Sequence, residues 1–245
     1  MSNCLLNGYR FCAVSAPDAL AARIEAAAQR AQLTGSVLIA TEGVNVALFG
    51  ARFQLEHVLA DIVAAIDGEL VDVLWTPMPS HARPFRRLRV RVRPEIVTFE
   101  HSLRTDAPSA EALPAPAWNA LLDDPQVRVL DVRNIYEYEH GHFVGAENPH
   151  TESFTEFRDY VLRELLPEPE RPIAMYCTGG IRCAKAGAWM RELGFEQVYQ
   201  LKGGILGYLA DAAADDAHWQ GECFVFDDRP QMPGLPKPSD AGGNA

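Results

Sequence analysis

Apolar positions recur at strand or helix spacing along most of the first hundred residues. Leu5 to Val14 reads as a strand. From Pro17 to Gln32, Leu20, Ile24, Ala27, Ala28 and Ala31 fall on one helical face, with Asp18 in the first turn. Ser36 to Ala40 and Asn45 to Phe49 are short strands around the turn Thr41-Glu42-Gly43. Arg52 to Ile66 predicts a second helix through Leu55, Val58, Leu59, Ile62 and Ile66, and Leu70 to Trp75 a further strand. Leu88, Val90 and Val92 then alternate with Arg87, Arg89, Arg91 and Arg93, the period of a half-buried strand.

This order, βαββαβ plus one strand, predicts a ferredoxin-like α+β domain over residues 1–103. Residues 104–116 are rich in Pro, Ala and Ser, lack periodicity and read as a linker. A second pattern fills residues 117–226. It predicts a short helix (Trp118 to Leu122), a buried strand (Val127 to Asp131), helices at Asn134 to His140 and Phe154 to Leu165, and a strand at Ile173 to Tyr176. A helix from about Cys183 to Leu193, a strand at Val198 to Leu201 and a helix from Ile205 to Ala213 follow. Strands alternating with helices imply an α/β domain with a parallel sheet. Residues 227–245 are Pro, Gly, Asp and Lys rich and read as a disordered tail.

Composition narrows the setting. The chain is 48% hydrophobic and 22% charged, as in ordinary globular proteins. No stretch approaches the about 20 apolar residues of a membrane span, and no secretory signal is evident at the N-terminus, so the expected location is the cytoplasm. Five cysteines, widely spaced and odd in number, argue against a disulfide framework. None makes the short pairs of a zinc site, so no metal is expected. No Ser-His-Asp triad, Walker loop or dinucleotide GxGxxG is present, and no cofactor is evident from the sequence.

The net charge of −11 disfavours nonspecific nucleic-acid binding. It hides a local reversal: Arg83, Arg86, Arg87, Arg89, Arg91 and Arg93 lie close together with no acid among them. That stretch is where a polyanion would dock. Glu42 and Asn45 sit in the turn beside it, as turn residues or as substrate contacts.

The candidate chemistry lies in Cys177-Thr178-Gly179-Gly180-Ile181-Arg182. Cys177 falls where a strand ends, the edge at which open parallel sheets bind ligands. The two glycines let the loop curl, its N–H groups turn inward, and the following helix adds its positive end. Such a field favours a thiolate, and Arg182 adds a full charge. A thiolate so held is a nucleophile able to carry a covalent product. The loop is one residue shorter than the cysteine-phosphatase signature and suits a persulfide or small sulfur anion better than phosphate. Asp131 and Arg133 on the neighbouring strand are expected to form a bracing ion pair, and His142 to hydrogen-bond locally. Cys183 opens the next helix, as a packing residue or as a resolving thiol.

Three segments carry a family resemblance. Leu130 to Asn134 with Tyr136 to Pro149 resembles the first rhodanese signature. Gly194-Phe195, Val198 and Leu201-Lys202-Gly203-Gly204-Ile205 resemble the second. Cys177 lies between them, where that family has its persulfide cysteine. Gly35 to Asn45, Arg89 to Thr98, Cys177 to Cys183 and Gly221 to Asp227 further resemble the bacterial tRNA uridine(34) hydroxylases. The resemblance implies an N-terminal ferredoxin-like (acylphosphatase-like) domain joined to a rhodanese domain. It implies 5-hydroxylation of the wobble uridine of tRNA, with molecular oxygen as co-substrate and a persulfide at Cys177. Arg83, Arg86, Arg87, Arg89 and Arg91 would then grip the anticodon stem-loop, and a persulfide donor protein is a candidate partner. The loop alone also fits a plain sulfurtransferase acting on thiosulfate or a persulfide without RNA.

Overall fold

The computed structural model describes residues 3–79, 81–101, 109–211 and 218–225. The chain divides into two compact units, the first ending at residue 106 and the second running from 107 to 225.

In the first unit the elements are β1 (Asn3–Phe11), α1 (Pro17–Arg30), β2 (Thr34–Ala40), β3 (Gly43–Ala51), α2 (Arg52–Ala65), β4 (Val71–Met78) and β5 (Leu88–Val92). The strands form one sheet in the order β4-β1-β3-β2-β5. β1 runs antiparallel to β3 and β4, β2 antiparallel to β3, and β5 parallel to β2. This is the ferredoxin-like arrangement with one strand added at the edge. Alternation along the strands puts Leu6, Val37, Ile39, Val46 and Leu48 on the face that meets Leu20, Ile24 and Ala28 of α1 and Leu55, Val58 and Ile62 of α2. Burying the Leu, Ile and Val side chains among these contributes about 1.5–3 kcal/mol each. The connection between β2 and β3 is tight: Cys12 N–H bonds Glu42 O at 2.9 Å, and Val14 N–H bonds Thr41 O at 3.0 Å.

In the second unit the elements are β6 (Glu111–Leu113), α3 (Ala115–Leu122), β7 (Arg128–Asp131), α4 (Ile135–His140), β8 (Gly141–Phe143), α5 (Phe157–Tyr160), β9 (Ile173–Tyr176), α6 (Ile181–Glu192), β10 (Val198–Leu201), α7 (Gly204–Ala210) and β11 (Trp219–Gly221). β6, β10, β9 and β7 form a parallel sheet in that order. β9 is wholly buried, which is the pattern of an inner parallel strand.

The structure departs from the sequence expectation in three places. Part of the stretch read as linker carries structure, because Glu111 to Leu113 find parallel partners in Tyr199 to Leu201. β8 and β11 form a small antiparallel pair that no local pattern announced. The single helix expected over Phe154 to Leu165 is divided into a 3-10 turn (Phe154–Glu156), α5 and a π turn (Val161–Leu165). Its wide turn closes with Leu166 N–H on Val161 O at 2.8 Å, next to Pro167, which has no N–H to continue. The tail at 227–245 and part of the linker lie outside the described residues.

Candidate active site

The site is built where β9 stops. Tyr176 is the last strand residue, Cys177 follows, and the chain turns through Thr178, Gly179 and Gly180 into α6. Gly180 precedes the helix with φ +95°, a backbone state that costs glycine little and other residues much. In that conformation its N–H donates to Cys177 Sγ at 3.1 Å. Arg182 and Cys183, in the first turn of the helix that follows, also act to lower the titration of that sulfur.

Cys177 is completely buried. Burial pushes its thiol up. The Cys183 hydrogen bond, the Arg182 charge and the inward-facing amides overcome that and hold it at about 6. Roughly nine-tenths of such a group is ionised at pH 7, against a few per cent of an ordinary thiol. Cys183 is the mirror case: burial, then the adjoining Cys177, drive its thiol well above the usual range. The two thiols are thus shifted in opposite directions.

The far side of the loop is fixed by backbone. Ile205 N–H bonds Cys177 O at 3.0 Å and Leu206 N–H bonds Thr178 O at 3.1 Å, so the start of α7 clasps the loop carbonyls. Gly204, at φ +59°, makes this approach possible. A Cβ there would stand 2.5 Å from Cys177 O and 2.7 Å from Gly179 N. The Gly203-Gly204 pair therefore serves the cysteine loop from a separate segment of the chain.

Arg182 is held by Glu137, which the sequence reading placed inside the first rhodanese-like signature but gave no role in the site. The two terminal nitrogens of Arg182 donate to the two carboxylate oxygens of Glu137 at 2.7 Å each. Thr178 Oγ1 donates to Glu137 Oε1 at 3.3 Å and accepts from Arg182 at 3.2 Å. Glu137 is buried, and burial pushes its carboxyl up, yet the Arg182 hydrogen bonds and charge outweigh this and hold it below the usual range. The signal available in the sequence was local. Asn134 and Glu137 have capping-box spacing, and in the structure they do close the first turn of α4, with Asn134 N–H on Glu137 Oε2 at 3.1 Å.

Asp131 and Arg133 are fully buried and joined by bonds of 2.6 to 3.1 Å. Arg133 also donates to Gly141 O at 2.6 Å, which pins the end of α4 and thereby the helix that presents Glu137. The brace from β7 thus acts on α4. His142 Nδ1 lies 2.9 Å from Tyr138 O, and its ring stacks on Tyr138 at 3.8 Å. Among the described residues no cluster of three or more metal-ligating side chains exists.

In the first unit Arg83, Arg86, Arg87, Arg89, Arg91 and Arg93 are all exposed. Leu88 and Val90 pack on the core, so Arg89 and Arg91 project from the opposite face of the edge strand. Glu42 and Asn45 act inside the fold: Glu42 Oε1 accepts Ile96 N–H at 2.9 Å, and Asn45 donates to Ile96 O at 3.4 Å.

Two family matches fall one in each unit. Residues 4–96 match the UPF0176 acylphosphatase-like domain and residues 115–211 the rhodanese-like domain. A tRNA uridine(34) hydroxylase from Synechococcus elongatus is 40% identical over 230 residues, 94% of this chain and 85% of that protein. The protein of that name from Mesorhizobium japonicum is 43% identical over 222 residues, 90% of this chain and 71% of the relative. The one from Jannaschia sp. is 41% identical over 221 residues, 90% and 73% of the two chains.

Proposed function

The chain belongs to the tRNA uridine(34) hydroxylase family, and from that premise we propose that it hydroxylates the wobble uridine of tRNA at C5, with Cys177 as the covalent centre and molecular oxygen as co-substrate. The observation that carries the role of Cys177 is a buried sulfur held anionic at about 6 by amides, a thiol and a guanidinium. That sulfur is a nucleophile for sulfane sulfur, and the same amides stabilise the persulfide that results. Thr178, Gly179, Gly180, Ile181 and Arg182 shape the anion pocket; Glu137 and the Asp131–Arg133 pair hold it in form. Arg83, Arg86, Arg87, Arg89 and Arg91, exposed on and before an edge strand, suit the phosphates of an anticodon stem-loop. The free cysteines suit a cytosolic protein supplied by a persulfide donor protein.

The test is nucleoside analysis of tRNA from a deletion strain grown in air and carrying no second hydroxylation route. Loss of 5-hydroxyuridine and its derivatives is expected, with restoration by the wild-type chain and none by Cys177→Ser. Unchanged nucleosides in the deletion strain would refute the reading. The loop also carries a second reading, sulfurtransfer from thiosulfate without RNA. Brisk thiocyanate formation from thiosulfate and cyanide, with unaltered tRNA nucleosides, selects it.

A further inference from the structure

Tyr136 and His140 lie one turn apart on α4, and Phe224 is lodged against both. Its ring centroid is 5.3 Å from that of Tyr136 and 5.4 Å from that of His140, with the planes inclined at 80° and 60°. Tyr136 and His140 are exposed, and Phe224 is half-buried. The pairing of Gly221 with Gly141, and a bond from Glu222 N–H to His140 O at 2.8 Å, bring Phe224 to α4. Singly exposed apolar side chains are common on protein surfaces and need no explanation. Three rings gathered from two segments of chain, with part of their surface left in water, are a different case.

The rings stand beside the cysteine loop. Glu137 follows Tyr136 in the chain, and its carboxylate holds Arg182 and Thr178. Asn134 Nδ2 donates to the Tyr136 hydroxyl at 3.4 Å, so the phenol leans back toward the start of α4. That end is the one nearest the loop: just before α4, Val132 N–H bonds Tyr176 O at 3.1 Å. The loop offers an approach there, since Gly179 is half-exposed and a Cβ on it would meet nothing within 4 Å. The charges flanking the rings are acidic, Glu139 and Glu222, both exposed. Such a patch repels phosphate. It suits the face of a nucleobase, whose edge N–H groups can donate to a carboxylate.

We propose that Tyr136, His140 and Phe224 form a stacking platform for one unpaired base of the RNA, the neighbour in the strand of the uridine brought to Cys177. The inference rests on the tRNA reading given above and adds to it a contact made by the second unit. The exposed arginines of the first unit suit phosphates; these rings suit a base. Stacking on aromatic side chains is a general way to hold bases splayed from single-stranded loops. Because it releases no counterion, its contribution is insensitive to salt.

The experiment measures binding of the full chain to a synthetic anticodon stem-loop RNA over a range of salt, alongside uptake of sulfur at Cys177 from thiosulfate. Tyr136→Ala should weaken RNA binding about tenfold with an unchanged salt slope, whereas Tyr136→Phe, which keeps the ring, should stay within about twofold of wild type. Sulfur uptake should be equal in all three proteins. RNAs lacking the base 5′ or 3′ of the target uridine locate the contact: with one of them the wild type should bind as weakly as Tyr136→Ala, and the variant should lose nothing more. His140→Ala with the same RNAs repeats the test if Tyr136→Ala does not fold. Unaltered RNA affinity in both variants overturns the inference and leaves the rings to a protein partner. Losses that add at both abasic positions overturn it too, as does a loss of affinity matched by a loss of sulfur uptake, which marks a role in the fold. If the wild-type chain does not bind the RNA, the tRNA reading fails and this inference falls with it.

Discussion

Glu137 holds both terminal nitrogens of Arg182, one on each carboxylate oxygen, at 2.7 Å. The guanidinium at the edge of the cysteine loop is therefore a fixed charge. Its orientation is set by α4, whose first turn Glu137 also caps. A charge fixed in place stabilises an anion without reorganising when that anion forms.

Removing Glu137 leaves a buried guanidinium without its carboxylate. Glu137→Ala should destabilise the second unit by about 3–5 kcal/mol, measured as a urea midpoint at neutral pH. The pH dependence has a defined sign. Glu137 titrates lower in the fold than when unfolded, so its contribution is present above the unfolded value of about 4.3 and fades as pH falls through the depressed one. The gap between wild type and Glu137→Gln should close in acid. A gap that stays constant down to pH 3 would mean that the loss does not come from the Glu137 charge.

Cys177 should titrate with a midpoint at about pH 6, seen as thiolate ultraviolet absorbance in the wild type minus Cys177→Ser. Absorbance is preferable to alkylation because the sulfur is buried and a reagent must first reach it. The folded value lies below that of an unfolded thiol, about 8.5. Stability from the thiolate is therefore complete above that value and is lost as pH falls towards 6. Arg182→Ala should move the midpoint upward, with no movement meaning that the amides and Cys183 suffice.

Gly204 and Gly179 make a matched pair of substitutions. Gly204→Ala meets backbone atoms at 2.5 to 2.7 Å at positive φ and should cost well over about 1 kcal/mol. It should also raise the Cys177 midpoint by displacing the loop. Gly179→Ala has open space around its Cβ and should change stability by only about 0.5 kcal/mol. Thermal unfolding of the two variants distinguishes these outcomes.

Charge reversal at Arg87, Arg89 and Arg91 should weaken tRNA binding at least tenfold while leaving the unfolding midpoint close to wild type, because all three are exposed. For every phosphate no longer neutralised, the plot of log affinity against log salt should flatten by about one unit. Binding that keeps its affinity and salt slope would place the RNA surface elsewhere.

Much of this was legible from local pattern. Helical spacing in Pro17 to Gln32 and Arg52 to Ile66 marked α1 and α2 to within about two residues. The strand running straight into Cys177, followed by Gly-Gly and Arg182, marked the nucleophile. Glu137 was less legible: capping-box spacing explains its bond to Asn134, but its partner Arg182 is 45 residues away. β6, β8 and β11 have three residues each, too short to show a period, and they exist through partners supplied by distant chain.

The sequence by itself determined the helices and the longer strands, the position of Cys177 at a strand end and the arginine-rich strand. These depend on side-chain periodicity and on residues adjacent in the chain. Only the tertiary structure decided how Cys177 is kept anionic. That depends on Glu137 orienting Arg182, on Gly204 letting α7 clasp the loop carbonyls, and on the Gly180 N–H reaching the sulfur inside a closed interior. Hydrogen bonds and charges act through distance in space, and burial, which amplifies them, exists only once the sheet and helices have closed around the loop.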